Sequence, residues 1–160
     1  MLLPLELFVM LVLANGAPVV VARLFGHLGS WPVDADRSWR DGRPLFGRSK
    51  TWRGLVAGIL ACSLFSVWVG LEWMFGALFG LLALMGDLLS SFVKRRLGLK
   101  SSARAVGLDQ VPESLLPMLL AWHVLPIPGW EALSVAALFA LSNILVSPLL
   151  YRLGIRSHPH

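Results

Sequence analysis

Cysteine and charge are both scarce in this sequence. Cys62 is the one cysteine in 160 residues, so no disulfide can form within the chain, and its place in an apolar run indicates a small packing residue. Charged residues make up 14%, against roughly a quarter in soluble domains. His27 and His123 lack metal-ligand spacing, His158 and His160 lie in the C-terminal tail, and the sequence has no nucleophilic triad and no internal repeat. These absences exclude a disulfide-stapled domain and a histidine-based zinc site.

Hydrophobic residues are abundant instead. They make up 56% of the chain, and the mean hydropathy is +0.71, which together predict a polytopic membrane protein. The length indicates a single integral-membrane domain, residues 1–160. The net charge of +5 is compatible with nucleic-acid binding, but the positions of the basic residues favour a membrane topology. We therefore expect no nucleic-acid partner.

Five apolar segments approach the length of about 20 residues that a helix needs to cross a bilayer. The first has no basic stretch before it and is too long for the core of a signal peptide, so we interpret it as a retained helix. The fourth is short for a span. The sequence thus predicts an all-α membrane protein, a bundle of about five transmembrane helices, at about Leu2–Leu24, Leu55–Leu71, Gly76–Val93, Pro112–Leu125 and Trp130–Tyr151.

The basic residues predict the orientation of this bundle. All 14 Lys and Arg residues fall within residues 23–53, 94–104 or 152–156. With five helices, these three regions lie on one side, which the positive-inside rule makes cytoplasmic. We expect a protein of the cell (inner) membrane with its N-terminus outside, its C-terminus inside and its charged loops facing the cytoplasm. The cytoplasmic loops would lie at about 24–54 and 94–112.

The longer loop ends in Gly47-Arg48-Ser49-Lys50-Thr51, immediately before the second apolar segment. Small residues there let backbone amides approach an anion, and Lys50 and Thr51 would enter the membrane edge together. The run is not a P-loop, because the Gly-x4-Gly-Lys-Ser/Thr spacing is absent. The alternative is that the cations of this loop set the topology and attract lipid head groups, at about 1 kcal/mol each.

Asp87 is an acid inside the third apolar segment. A carboxylate near the centre of a bilayer costs about 2.5–3.5 kcal/mol, so it needs a partner or a wet cavity. If the helix continues, Ser90 or Ser91 and Lys94 share the face of Asp87, with Lys94 about 10 Å further along the axis. Two interpretations stay open: a divalent-metal ligand beside a cationic phosphate site, or an acid paired locally with Lys94 or Arg95.

A second acid, Asp109, lies in the shorter loop. It lies shortly before Pro112, and because proline is common in the first turn of a helix, a helix is expected to begin here. The helix dipole alone would then favour Asp109 and Glu113 at these positions. The other interpretation is that Asp109 joins Asp87 around Mg²⁺. Proteins hold Mg²⁺ with one or two carboxylates, while substrate phosphates and waters complete its shell.

Polar residues inside the other apolar segments are few. Asn15, followed by Gly16 and Pro18, is expected to break the first helix and turn an amide inward. Asn143 and Ser147 are four residues apart and share a helical face, where hydrogen bonding between helices is the commoner role.

Short motifs follow one another along nearly the whole chain, and the ordered set is more specific than any one of them. They are Asn15-Gly16-Ala17-Pro18, Pro32-Val33-Asp34, Asp41-Gly42-Arg43, GRSKTWRG at residues 47–54, Gly86-Asp87 with Ser91-Phe92, Lys94-Arg95-Arg96, and Leu108-Asp109-Gln110. This set resembles the CDP-archaeol synthase family, small membrane cytidylyltransferases similar to the larger phosphatidate cytidylyltransferases. The resemblance implies a five-helix, cytoplasm-facing transferase that uses Mg²⁺ to condense CTP with a lipid phosphate into a CDP-lipid and pyrophosphate.

Two stretches depart from the pattern of that family. Ala35-Asp36-Arg37 stands where the family often has a glycine-containing stretch. Val111-Pro112-Glu113 follows Gln110 where the family often has Leu-Asp-Phe, and Glu113 is a candidate for the missing acid.

For the reaction that the resemblance implies, two polyanions must be aligned and their charge neutralised, and on this ground we assign hypothetical roles to the residues. Asp87 and Asp109 would bind Mg²⁺, and together with Lys94 and Arg95 they would form the catalytic group. Positive or polar side chains of the first loop would contact substrate phosphates, and further residues would line or orient the substrate site. These expected substrate-binding residues are Lys50, Thr51, Arg53, Asn15, Asp34, Asp41, Arg43, Ser91 and Gln110. The expected partners are CTP, a membrane lipid phosphate and the bilayer, while the sequence carries no signal for the oligomeric state.

Three other functions are compatible with a small polytopic membrane protein. A non-catalytic membrane protein that binds lipid phosphates or acts as a scaffold on the same fold is the main alternative, and binding of phospholipid without nucleotide would identify it. A CDP-alcohol phosphotransferase needs an Asp-Gly-x2-Ala-Arg motif, whereas Asp41-Gly42 is followed here by Arg43-Pro44-Leu45-Phe46. A transporter is disfavoured because there is no inverted repeat and the acids cluster on one side.

Overall fold

The computed structural model describes residues 2–100, 105 and 107–152, with side chains described as far as residue 145. The described residues form five α-helices, with only isolated β-bridges between them. The all-α class is confirmed, and each helix begins and ends within three residues of its predicted segment. That all five cross a membrane stays a prediction. The helices are α1 Leu3–Phe25, α2 Trp52–Trp68, α3 Trp73–Arg96, α4 Gln110–Val124 and α5 Gly129–Arg152.

The helices present apolar side chains outward as well as inward. α1 and α3 are long and apolar enough to cross a membrane, and shorter apolar helices run over Trp52–Trp68 and Gly129–Leu145. Along α2, Leu60, Leu64 and Trp68 are four residues apart and all exposed, Trp68 by 80%. A stripe of large exposed hydrophobic residues is unfavourable in water, and it is what a helix in contact with lipid presents.

The predicted break in α1 is wrong, because the helix continues through Asn15, Gly16 and Pro18 to Phe25. The Asn15 Nδ2 group donates to the Leu11 carbonyl oxygen at 3.1 Å, one turn back in the same helix. The amide therefore has a partner without any unwinding. A single proline removes only one backbone donor, which a helix in an apolar environment tolerates.

Small residues let the backbones of α1, α2 and α3 come into close contact. A Cβ added to Gly58 would lie 2.7 Å from the Ala14 carbonyl oxygen of α1, and one added to Gly76 would lie 2.5 Å from the Cys62 carbonyl oxygen of α2. Such contacts are typical of helix packing in membranes, where dispersion forces between close backbones replace the hydrophobic effect. Cys62 itself is fully buried, as expected for a packing residue.

The loop between α1 and α2 is folded rather than extended over the surface. Its two ends are joined, because the Val33 N–H donates to the Lys50 carbonyl oxygen at 2.8 Å and the Trp52 N–H donates to the Trp31 carbonyl oxygen at 3.1 Å. A second bridge connects Ser38 with Pro44. This arrangement fixes the backbone of Lys50 at the start of α2, close to α3.

Candidate active site

Gly86 brings the beginning of α4 against the middle of α3. A Cβ at this position would lie 2.3 Å from the Pro112 carbonyl oxygen and 2.6 Å from the Glu113 Cα atom, so only glycine permits the observed approach. The next residue, Asp87, therefore lies beside the first turn of α4. This is the end of the bundle where α2 and α4 begin and α3 ends.

Asp87 forms an ion pair with a residue of the first loop. The Lys50 Nζ atom lies 2.7 Å from Oδ1 and 2.5 Å from Oδ2 of Asp87. The side chains are 23% and 27% exposed, so water reaches both. Asp87 therefore pairs with Lys50 of the first loop, and not with Lys94 or Arg95 of its own helix as one of the two interpretations of the sequence expected.

Asp109 forms a second ion pair, with Lys94 at the end of α3. The Lys94 Nζ atom lies 2.7 Å from Asp109 Oδ1, and the other carboxylate oxygen accepts a hydrogen bond from the Ala105 N–H at 3.1 Å. The two side chains are 11% and 23% exposed. The Ser90 hydroxyl lies between the two acids in sequence and space, donating to the Gly86 carbonyl oxygen at 2.9 Å and lying 3.5 Å from that of Asp109.

Glu113 is a third acid at this place, and the predicted site residues did not include it. It is buried, and its Oε1 atom accepts a hydrogen bond from Asn143 Nδ2 of α5 at 3.0 Å. Asp87, Lys50 and Asp109 all lie close enough to interact with it electrostatically. The available sequence signal was the acid next to Pro112, which the helix dipole also explains. The predicted hydrogen bonding between helices is confirmed for Asn143, whereas Ser147 lies outside the residues whose side chains the structure describes.

Arg95 is a buried cation next to these pairs. Its side chain contacts the segment that follows α3, where Nη2 donates to the Lys100 carbonyl oxygen at 2.7 Å. The Nε–H of Arg95 is buried and has no hydrogen-bond partner among the described residues. A buried N–H without an acceptor is costly, so this donor is available to an anion. Ser91, on the same turn of α3 as Ser90, is 2% exposed.

Asp34 lies inside the first loop and organises it. Its Oδ2 atom accepts hydrogen bonds from the N–H groups of Phe46 at 3.0 Å and Gly47 at 2.9 Å, and Oδ1 accepts one from the Asp36 N–H at 3.1 Å. Burial acts to raise the pKa of the Asp34 carboxyl, but these amides stabilise its charged form and bring the pKa below the ordinary value. Asp34 therefore holds the loop that carries Lys50.

Asp41 and Arg43 connect the same loop to the end of α3. Arg43 Nη1 donates to the carbonyl oxygens of Arg96 at 2.7 Å and Arg95 at 3.3 Å, both in the last turn of α3, where carbonyl oxygens have no partner one turn further along the helix. In return, Arg96 donates to the Pro44 carbonyl oxygen and to Asp41 Oδ1, both at 2.5 Å. These reciprocal hydrogen bonds of Arg43 and Arg96 hold the first loop against the end of α3.

The remaining predicted residues make local contacts. Thr51 caps α2, since its hydroxyl oxygen accepts from the Gly54 N–H at 3.2 Å. Arg53 donates to the carbonyl oxygens of Gly26 and Leu28 in the first loop. Gln110 Oε1 accepts from the Gly107 N–H at 2.8 Å. The predicted residues thus separate into a central group of two Lys–Asp pairs and a surrounding set that shapes the two loops.

The central group fits a divalent cation that binds together with a phosphate ligand. Among the described residues, no three or more His, Cys, Asp or Glu side chains are arranged to hold a metal ion. Two carboxylates suffice, however, when phosphates and waters supply the other oxygens that Mg²⁺ requires. Asp87 and Asp109 offer such oxygens and are partly exposed, but each is now neutralised by a lysine.

Comparison with known proteins gives one consistent family. A sequence model described as CarS-like CDP-archaeol synthase matches residues 2–160. The CDP-archaeol synthase of Pyrococcus furiosus is 35% identical over 91% of this chain and 90% of its own length, and that of Methanosphaerula palustris is 36% identical over 84% and 87%. A solved structure, described as an intramembrane enzyme for archaeal membrane lipids biosynthesis, has a TM-score of 0.67 and 31% identity over 86% of this chain and 90% of that one.

Proposed function

The chain belongs to the CDP-archaeol synthase family, and from this premise we propose that it is a magnesium-dependent enzyme whose active site faces the cytoplasm. As a member of that family it is a membrane cytidylyltransferase that acts on a lipid substrate. It transfers a cytidylyl group from CTP to a lipid phosphate. The proposal adds the metal, the side of the membrane and the residues that carry the reaction.

The reaction is a substitution at phosphorus. An oxygen of the lipid phosphate forms a bond to the α-phosphorus of CTP, and the bond from that phosphorus to the bridging oxygen of the β-phosphate breaks. The bonding electron pair leaves with pyrophosphate, and the cytidylyl group stays on the lipid. Because two polyanions must meet in line, the protein's tasks are to position them and to neutralise their charge.

The cations of the site supply that neutralisation. Lys50 and Lys94 each end in an ammonium group on a flexible stem, so both can turn from their aspartates to phosphate oxygens while the backbone stays in place. Arg95 is held more rigidly and offers, from the buried side, an Nε–H that has no partner among the described residues. We assign these three residues to the phosphates of the two substrates.

The two aspartates would hold the cation. A divalent cation held by these acids would supply positive charge that offsets the charge developing on the phosphate oxygens during transfer. The acids also orient the lysines before substrate arrives, since each lysine already points at an acid in the site.

The observation that carries this proposal is the meeting of two Lys–Asp pairs from three separate parts of the chain. Lys50 comes from the first loop, Asp87 and Lys94 from α3, and Asp109 from the residue before α4. All lie at the end of the bundle that the basic residues predict to be cytoplasmic. CTP would reach this end from water, and the lipid phosphate would reach it from the inner leaflet.

The proposal is tested with the full-length chain in detergent. The protein is incubated with radiolabelled CTP, Mg²⁺ and a panel of lipid phosphates that differ in chain linkage, and lipid-extractable label is measured. We expect labelled CDP-lipid from at least one substrate, with loss of the product when EDTA removes the metal. Binding of lipid phosphate without any CTP consumption would favour the non-catalytic alternative instead.

A further inference from the structure

We infer that Lys50 occupies the place on Asp87 that a divalent cation takes when nucleotide is bound, and that it thereby makes cation binding and nucleotide binding depend on each other. The inference rests on the proposed function, since the two ligands are CTP and the cation. It assigns to one lysine a role in the order of binding, beyond contact with a phosphate.

The geometry of the pair is the first reason. The Lys50 Nζ atom engages both carboxylate oxygens of Asp87, at 2.7 and 2.5 Å. A magnesium ion binds carboxylate oxygens at about 2.0–2.1 Å and would need the same oxygens. The ammonium group and the metal ion would then be close neighbours of like charge, which repel strongly. The two cations therefore exclude each other at Asp87.

The second reason is that Lys50 can leave this position without any change in the fold. Its backbone is fixed on both sides, since its N–H donates to the Gly47 carbonyl oxygen at 3.1 Å and its own carbonyl oxygen accepts from the Val33 N–H at 2.8 Å. The side chain is 23% exposed, so its ammonium group can be reached from solvent while it contacts Asp87. Rotation about the side-chain bonds is enough to move the ammonium group to a phosphate.

The third reason is the charge of the site without substrate. Asp87 is paired with Lys50 and Asp109 with Lys94, so neither acid presents an uncompensated charge to a free cation. A triphosphate changes this balance because it attracts the ammonium group and exposes Asp87. By linkage, if the nucleotide tightens cation binding, the cation tightens nucleotide binding by the same factor.

The test measures cation binding in the absence of nucleotide. Mg²⁺ is titrated into the full-length protein by calorimetry for wild type, Lys50→Met and Arg48→Met. We expect Lys50→Met to bind Mg²⁺ at least about fivefold more tightly than wild type, the lower end of typical couplings between sites. Arg48→Met is the matched control, because it removes the same charge only two residues from Lys50. The Arg48 side chain is 84% exposed and pairs with Asp36, not with Asp87.

A second titration adds CTP at saturating Mg²⁺. We expect Lys50→Met to bind CTP more weakly than wild type, and Arg48→Met to bind it equally well. Lys50→Gln replaces Lys50→Met if the methionine variant does not fold. Equal Mg²⁺ affinity of wild type and Lys50→Met, with CTP still bound by wild type, would overturn this inference alone. Failure of wild type to bind CTP with Mg²⁺ would overturn the proposed function as well.

Discussion

At the scale of single residues, the acids divide into those that hold a loop and those that face the site. Asp34 is buried in the first loop with three backbone N–H donors, whereas Asp87 is partly exposed and contacts a movable lysine. The sequence placed both among the site residues, since a motif shows that an acid is present but not which way it points. In the proposed function, Asp34 would affect the site only through the loop that carries Lys50.

Replacing Asp34 by Asn should loosen this loop. The substitution removes a charged acceptor from three amides, and leaving buried N–H groups without partners costs about 1–3 kcal/mol. We expect faster hydrogen exchange at the amides of Phe46 and Gly47. Asp36→Asn is the control, since Asp36 is exposed and pairs only at the surface with Arg48. Equal exchange in both variants would contradict the role given to Asp34.

The same residue predicts a dependence on pH. The pKa of Asp34 is lower in the folded protein than its ordinary value of 3.8, so its stabilising contribution is complete well above that value. The contribution is lost as the pH falls through the folded-state pKa. The Asp36→Asn variant keeps the Asp34 carboxyl, so acidification below pH 3.8 should open its loop and speed hydrogen exchange there. The Asp34→Asn variant lacks this carboxyl, so its loop should respond less to the same change in pH. Parallel behaviour of the two variants in hydrogen exchange would contradict it.

At the scale of helices, the approach of α3 and α4 at Gly86 positions the site. Gly86→Ala places a Cβ 2.3 Å from the Pro112 carbonyl oxygen, so the helices must separate and the Lys94–Asp109 pair must shift. We expect a lower unfolding midpoint and a large loss of cytidylyl transfer.

Gly16→Ala is the matched control for this prediction. An added Cβ meets nothing within 4 Å at Gly16, which is also a helical glycine. Alanine favours a helix over glycine by about 1 kcal/mol, so this variant should be as stable as wild type or more stable. Similar midpoints and activities for the two variants would show that close packing at Gly86 is unimportant.

The helices could be predicted from the sequence because apolar runs of the right length have few alternatives. Their contacts could not. Lys50 and Asp87 are 37 residues apart, and nothing in the local pattern chooses between this pair and the nearer Asp87–Lys94 pair. The predicted break at Asn15 failed for a related reason, since the pattern does not show that the side chain can bond to its own helix.

At the scale of the whole molecule, the distribution of basic residues predicts which end of the bundle is cytoplasmic. This is tested on a Cys62→Ala background with single cysteines at Arg40, in the first loop, or at Pro126, in the turn after α4. Both positions are exposed. A membrane-impermeant maleimide should label the Pro126→Cys variant in intact cells. It should label the Arg40→Cys variant only after the cells are lysed. The reverse pattern would place the site on the outer side.

Asp87 lies where α3, α4 and the first loop meet, and we expect it to take part in the reaction. The decisive measurement is CTP- and Mg²⁺-dependent formation of CDP-lipid by wild type, Asp87→Asn and Asp36→Asn, with unfolding midpoints measured in the same detergent. We expect Asp87→Asn to stay folded and lose about 100-fold or more in turnover, as is usual when a preorganised charged group of a site is removed. Asp36→Asn should match wild type. A folded Asp87→Asn protein that turns over as fast as Asp36→Asn would contradict the account.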